Sequence, residues 1–140
     1  MAVSYEDLVQ AAIDARKNAY TPYSKFKVGA ALLTDDEKII KGCNIENAAY
    51  GPTNCAERTA FFKAISDGIM NFKAIAIVGG PESETDVFSG YAYPCGICRQ
   101  VMREFCSQDF TVIVGKSVKE YKVYTLEQIL PDGFGPENLK

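Results

Sequence analysis

Residues 55–78, CAERTAFFKAISDGIMNFKAIAIV, set the architecture. From Cys55 to Asp67, the apolar residues Ala56, Ala60, Phe61, Ala64 and Ile65 recur at helical spacing, and Lys73 to Val78 forms a short apolar strand. Asn54 can cap the start of that helix and Gly68 its end. The same order then repeats, with a helix opening at Pro94 and running through Phe105 before the strand Phe110 to Val114 (FTVIV). Upstream, Ser4 and Asp7 form an N-cap signal for a helix whose Tyr5, Leu8, Ala12, Ala15 and Ala19 share helical spacing. It ends by Thr21-Pro22, because proline disfavours the helical region for its predecessor. Phe26 to Leu33 and Lys38 to Cys43 read as two strands pairing across an Asp35-Asp36 turn. Tyr121 to Tyr124 gives a fifth strand, and a short helix stops at Leu130-Pro131. A helix, two strands, then alternating helices and strands predict an α/β fold around a mixed sheet.

The 140 residues are expected to form a single domain spanning 1–140. Hydrophobic residues make up 47% and charged residues 24%, the composition of a globular chain rather than a disordered one. Five cysteines and no histidine exclude Ser-His-Asp and Cys-His catalysis and the HExxH metal site. A net charge of −3 lacks the basic excess of a nucleic-acid binder. No apolar run approaches the roughly 20 residues that span a bilayer. The N-terminus, MAVSYEDLVQ, lacks the basic-then-apolar order of a signal peptide, so the expectation is a cytoplasmic protein without membrane partners. In a reducing compartment, clustered cysteines favour metal binding or catalysis over disulfides.

Pro94-Cys95-Gly96-Ile97-Cys98 opens one helix and Cys55 opens another. Free N–H groups and the helix dipole favour thiolates at such ends. Three sulfur donors fit a catalytic zinc site, which keeps one position open. Cys106 lies roughly 12 Å along the axis from Cys98, too far to share its metal, and is expected in the core with Cys43. Glu57, two residues after Cys55, is either a helix-dipole partner or a general acid/base beside the metal. Beside three candidate thiolates in a chain without histidine, the acid/base role is preferred.

Cys55-Ala56-Glu57 with Pro94-Cys95-Gly96-Ile97-Cys98 resembles the zinc-dependent cytidine deaminases, in their small three-cysteine form. The segments Tyr20-Thr21-Pro22-Tyr23-Ser24-Lys25-Phe26, Gly42-Cys43-Asn44-Ile45-Glu46-Asn47, Cys55-Ala56-Glu57-Arg58-Thr59-Ala60 and Arg99-Gln100-Val101 extend the likeness from about Ala19 to Phe134. The resemblance implies a three-layer α/β/α sandwich with a mixed five-stranded sheet. It further implies one Zn²⁺ per chain held by Cys55, Cys95 and Cys98, and hydrolytic deamination of cytidine and deoxycytidine in pyrimidine salvage. Glu57 would move protons from water to ring N3 and to the departing amine. Arg58 would withdraw charge from a ligand sulfur. Asn44 and Glu46 would hold the ribose hydroxyls, Phe26 would pack on the nucleoside, and Ala56 would complete the substrate contacts. Phe134 would reach into a neighbouring subunit's pocket, implying a homotetramer with active sites completed across subunits.

Two other readings stand beside this one: deamination of another aminopyrimidine nucleoside, such as a nucleoside antibiotic, and a non-catalytic zinc-stabilised interaction domain. The turn-rich stretch from Gly79 to Tyr93 leads into Pro94 and is expected near the pocket mouth or an interface, where Phe88, Tyr91 and Tyr93 either line substrate or pack the segment down. Lys116, Lys119 and Lys122 read as a solvated edge.

Overall fold

A computed structural model describes residues 2–140. The elements are α1 (Tyr5–Arg16), β1 (Phe26–Thr34), β2 (Ile39–Cys43), α2 (Ala56–Ser66), β3 (Phe72–Pro81), α3 (Gly96–Phe105), β4 (Thr111–Ser117), β5 (Glu120–Thr125), α4 (Leu126–Ile129) and a closing 3₁₀ turn, Pro136–Leu139. The five strands form one sheet in the order β2-β1-β3-β4-β5. Strands β3 and β4 pair parallel and their neighbours antiparallel, so the sheet is mixed. The parallel pair follows from chain logic, since α3 carries the chain back over the sheet between them.

Alternation along the strands builds two cores. Ala30, Leu32, Ile75, Ile77, Val112 and Val114 pack against Ala60, Phe61 and Ala64 of α2 and Met102 of α3. Ala31, Leu33, Ala76, Val78 and Ile113 pack on the other face against Leu8, Val9, Ala12 and Ile13 of α1. The result is the expected three-layer α/β/α arrangement. Among the described residues, no helix is long and apolar enough to cross a membrane.

Local signals behave as their chemistry dictates. Ser4 caps α1 in a reciprocal box with Asp7, and Gly68 follows α2 at φ +84°, a conformation that favours glycine. Other boundaries differ from expectation. Helix α1 stops at Arg16, leaving Ala19 in the turn beyond it. Asn54 does not cap α2, because its amide donates to the Thr59 hydroxyl and Cys55 occupies the N-cap without a side-chain cap bond. Gly79 to Pro81 belong to β3 rather than to the turn-rich segment. Cys106 is buried as expected, whereas Cys43 is only half-buried at the end of β2 and lies outside both cores. Lys119 and Lys122 are exposed, as expected of a solvated edge, while Lys116 is half-buried; the ammonium groups of Lys116 and Lys122 also sit 4.8 and 4.6 Å from the centroid of the Tyr91 ring.

Glycines set the distance between layers at two points. A Cβ on Gly29 would lie 2.0 Å from the Ala12 carbonyl of α1, and one on Gly42 would lie 2.5 Å from both the Ala56 carbonyl and the Ala60 nitrogen of α2. Only glycine allows β2 this approach to the first turn of α2. Gly42→Ala must therefore push α2 outward, and overpacking of this kind costs about 1–3 kcal/mol. A fall in the denaturant midpoint of the Gly42→Ala chain is the expected result, and an unchanged midpoint contradicts this account.

Candidate active site

Two bridges deliver the first cysteine. The Tyr20 N–H donates to the Asn44 carbonyl at 3.0 Å, and Ile45 and Asn54 exchange two backbone bonds at 2.9 Å. The long connection after β2 is thereby closed, bringing Cys55 to the start of α2. Cys95 holds the equivalent position before α3. Neither helix has a side-chain N-cap bond, so the free N–H groups of both first turns favour negative charge near the sulfurs.

The Sγ atoms of Cys55, Cys95 and Cys98 all lie within 4.8 Å of one another, those of Cys55 and Cys95 at 3.8 Å. Tetrahedral zinc with Zn–S bonds near 2.3 Å requires sulfurs about 3.8 Å apart. The spacing fits that ion. The charge balance points the same way. Hydrogen bonding from Cys98 and then Arg58 pulls the Cys55 thiol down to about 5 against its burial, while bonding to Cys55 and burial push the Cys98 thiol up. Three thiolates at this spacing repel one another, and a dication allows all three to ionise. Among the described residues, this is the one group of three or more such donors. Three protein donors are the number of a catalytic rather than a closed structural zinc site.

Cys55 and Cys95 border a hollow of about 340 Å³, together with Phe26, Val28, Asn44, Thr53, Asn54, Ala56, Glu57, Ile77, Ala92 and Tyr93. Glu57 is 4% exposed. Burial pushes its carboxyl up to about 7, with a backbone hydrogen bond opposing and charge on Cys55 adding. A group of that kind can both hold and release a proton near neutrality. Arg58 donates through Nη2 to the Cys55 sulfur at 3.2 Å, and this bond raises the guanidinium pKa further.

Other expected residues divide between places. Phe26, Asn44 and Ala56 line the hollow with Glu57. The Asn44 amide binds the β1 backbone at both ends, accepting from the Val28 N–H at 2.8 Å and donating to the Phe26 carbonyl at 3.0 Å. One amide hydrogen and one lone pair remain. Glu46 lines an adjoining hollow of about 320 Å³ with Tyr23, Ser24, Asn47 and Tyr50, and Thr53 borders both hollows. Its carboxylate accepts from the Tyr23 and Ser24 N–H groups at 3.0 and 3.1 Å and from the Ser24 hydroxyl, which holds its pKa down. Phe134 lies outside both hollows, 58% exposed.

The segment before Pro94 splits as its side chains differ. Phe88 is buried beneath the Arg16 guanidinium, 4.6 Å from ring centroid to Cζ, whereas Ala92 and Tyr93 line the hollow. Val28 and Ile77 also line it and were visible in the strand alternation, on the same faces as Ala30 and Ile75. Thr53 and Ala92 carry no such signal, because loops have no periodicity.

Residues 3–114 match the family described as the cytidine and deoxycytidylate deaminase zinc-binding region. The chain belongs to that family. It is 49% identical over 134 residues to a cytidine deaminase of Sporosarcina psychrophila, covering 96% of this chain and 93% of the relative. A cytidine deaminase of Halalkalibacterium halodurans is 47% identical over 132 residues, covering 94% and 95%. The crystal structure of cytidine deaminase from Burkholderia pseudomallei superposes with a TM-score of 0.84 at 45% identity, covering 94% of this chain and 99% of that one. This family member is a hydrolytic deaminase with one Zn²⁺ per chain, and the three sulfurs are the donors that fit it. The reading as a non-catalytic interaction domain gives way. Purified chain is expected to hold one zinc by elemental analysis, and Cys98→Ala, which leaves two sulfurs, to lose it; stoichiometric zinc in that variant contradicts the assignment.

Proposed function

We propose that the chain deaminates free cytidine and deoxycytidine, adding water and releasing ammonia to leave uridine and deoxyuridine. The observation that carries this is the buried Glu57 carboxyl bordering the same hollow as the sulfur cluster, in a chain whose relatives are named cytidine deaminases. Cys55, Cys95 and Cys98 would hold the zinc, and the bound ion would supply the Lewis acidity that makes water nucleophilic near neutral pH. Glu57 accepts one proton of the attacking water and delivers it to ring N3, then takes the proton of the hydroxyl now on C4 and passes it to the amine, so that the C4–N bond breaks, C4 keeps a carbonyl and ammonia leaves. Arg58, bonded to the Cys55 sulfur, draws off part of the negative charge that three thiolates contribute.

The hollow's dimensions suit a nucleoside. Phe26 packs on the substrate and Ala56 completes the wall beside Glu57. Asn44 offers its remaining donor and acceptor to the ribose, and the Glu46 carboxylate, held ionised next door, accepts from the second hydroxyl. Phe134 projects from the surface and enters the hollow of a neighbouring copy, in a homotetramer whose sites are completed across subunits. One domain spans 1–140. The net charge of −3 suits small free nucleosides rather than polynucleotides. Pyrimidine salvage in the cytoplasm is the setting in which such an activity serves.

Incubation with cytidine, deoxycytidine and an aminopyrimidine nucleoside antibiotic is expected to yield ammonia from the first two. Turnover of the antibiotic alone moves the substrate, and zinc-loaded chain inactive on all three overturns the proposal. Glu57→Gln is expected to lower kcat by about 10²–10⁴ while keeping its zinc. Glu46→Ala should raise KM for cytidine with little change in kcat, and wild-type kinetics would remove Glu46 from the site.

A further inference from the structure

Helix α3 contributes two of the three sulfurs, yet its N-cap, Cys95, makes no side-chain cap bond, and Gly96 follows with no atom near its Cβ position. The turn that carries Cys95 and Cys98 needs restraint from elsewhere. Arg99 supplies it. Its Nε donates to the Pro94 carbonyl at 2.7 Å, closing a loop of side chain and backbone that contains both cysteines. Its Nη1 donates to the Ile129 carbonyl at 2.6 Å, at the end of α4. Both are short, charge-assisted bonds to carbonyls in a half-buried setting.

The chain beyond Ile129 stays on the same helix. Gln100 donates to the Phe134 carbonyl at 2.8 Å. The backbone of Gly135 lies on the guanidinium of Arg103, where a Cβ would come within 2.4 Å of Cζ. Arg103, itself buried, meets the Glu137 carboxylate at 2.9 Å. Within this arrangement, only Arg99 touches both the cysteine turn and the C-terminal segment.

We infer that Arg99 is a positioning residue, whose guanidinium fixes the turn bearing Cys95 and Cys98 and fastens it to the C-terminal segment. The inference rests on these cysteines being zinc donors. A planar fork with fixed N–H directions suits two carbonyls on different segments; a lysine ammonium is a single point donor on a flexible stem. Loss of the fork loosens the spacing of two donors without removing either. Disturbing a group that orients metal ligands typically costs 10–100-fold in metal affinity.

The test is zinc transfer from the loaded chain to a colorimetric chelator, with the near-ultraviolet thiolate absorption of the Co²⁺-substituted chain as a second readout. Arg99→Ala is expected to release zinc about 10–100-fold faster, with an altered Co²⁺ spectrum and unchanged far-ultraviolet circular dichroism. Gln100→Ala, which frees Phe134 but not the cysteine turn, is expected to release zinc at nearly the wild-type rate. If Arg99→Ala does not fold, Arg99→Lys decides the matter. Release faster than wild type from Arg99→Lys supports the inference, and the wild-type rate and Co²⁺ spectrum in either folded Arg99 variant overturn it. A wild-type chain that binds no zinc instead overturns the donor assignment itself.

Discussion

Mutual repulsion of three thiolates is the constraint around which the chain is organised. Sulfurs at the spacing found here cannot all carry charge unless something opposes that charge, and the fold opposes it in several ways at once. Two helices point their N-terminal ends at the cluster, neither closed by its own side-chain cap. Arg58 adds a full positive charge in direct contact with Cys55, and a dication completes the balance. Both helices must then be pressed firmly on the sheet, because a displaced helix moves a sulfur. Gly42 provides that closeness for α2.

A chain with no histidine relies on arginine for much of its internal polar bonding. Arg16 donates to three backbone carbonyls and lies over Phe88, holding down the segment that leads to the hollow. Arg58 works on a sulfur, Arg99 on two carbonyls and Arg103 on Glu137. Guanidinium suits these tasks because it stays ionised when buried and offers several fixed N–H directions.

Much of this was legible from residue order. Short apolar runs and helical spacing predict every strand and the three longer helices, because a strand buried on both faces leaves a continuous apolar run and a helix buried on one face leaves a periodic one. The cysteine spacing and Glu57 pointed to the metal site, and Cys106 was correctly assigned to the core by its distance along α3. Other features depend on tertiary partners. Asn54 has the chemistry of a cap, but Thr59 offered a competing partner. Cys43 ends an apolar strand, yet β2 is the sheet edge and leaves it half covered. Which of Phe88, Tyr91 and Tyr93 would face the hollow depended on where Arg16, Lys116 and Lys122 came to rest, and spacing in an irregular segment does not encode that.

The placement of β3 between the two sulfur-bearing segments has a consequence for synthesis. Cys55 precedes β3, whereas Cys95 and Cys98 follow it, so the donors converge only after an entire strand and the start of a second helix have emerged. Contacts between such distant segments form slowly, since the loop-closure entropy of bringing them together must be met before the contact rewards it. A nascent chain halted before Cys95 carries α2 and its acid but has one sulfur of three. The metal centre therefore reports on long-range assembly: the chain acquires its means of activating water only once the starts of both helices have come together.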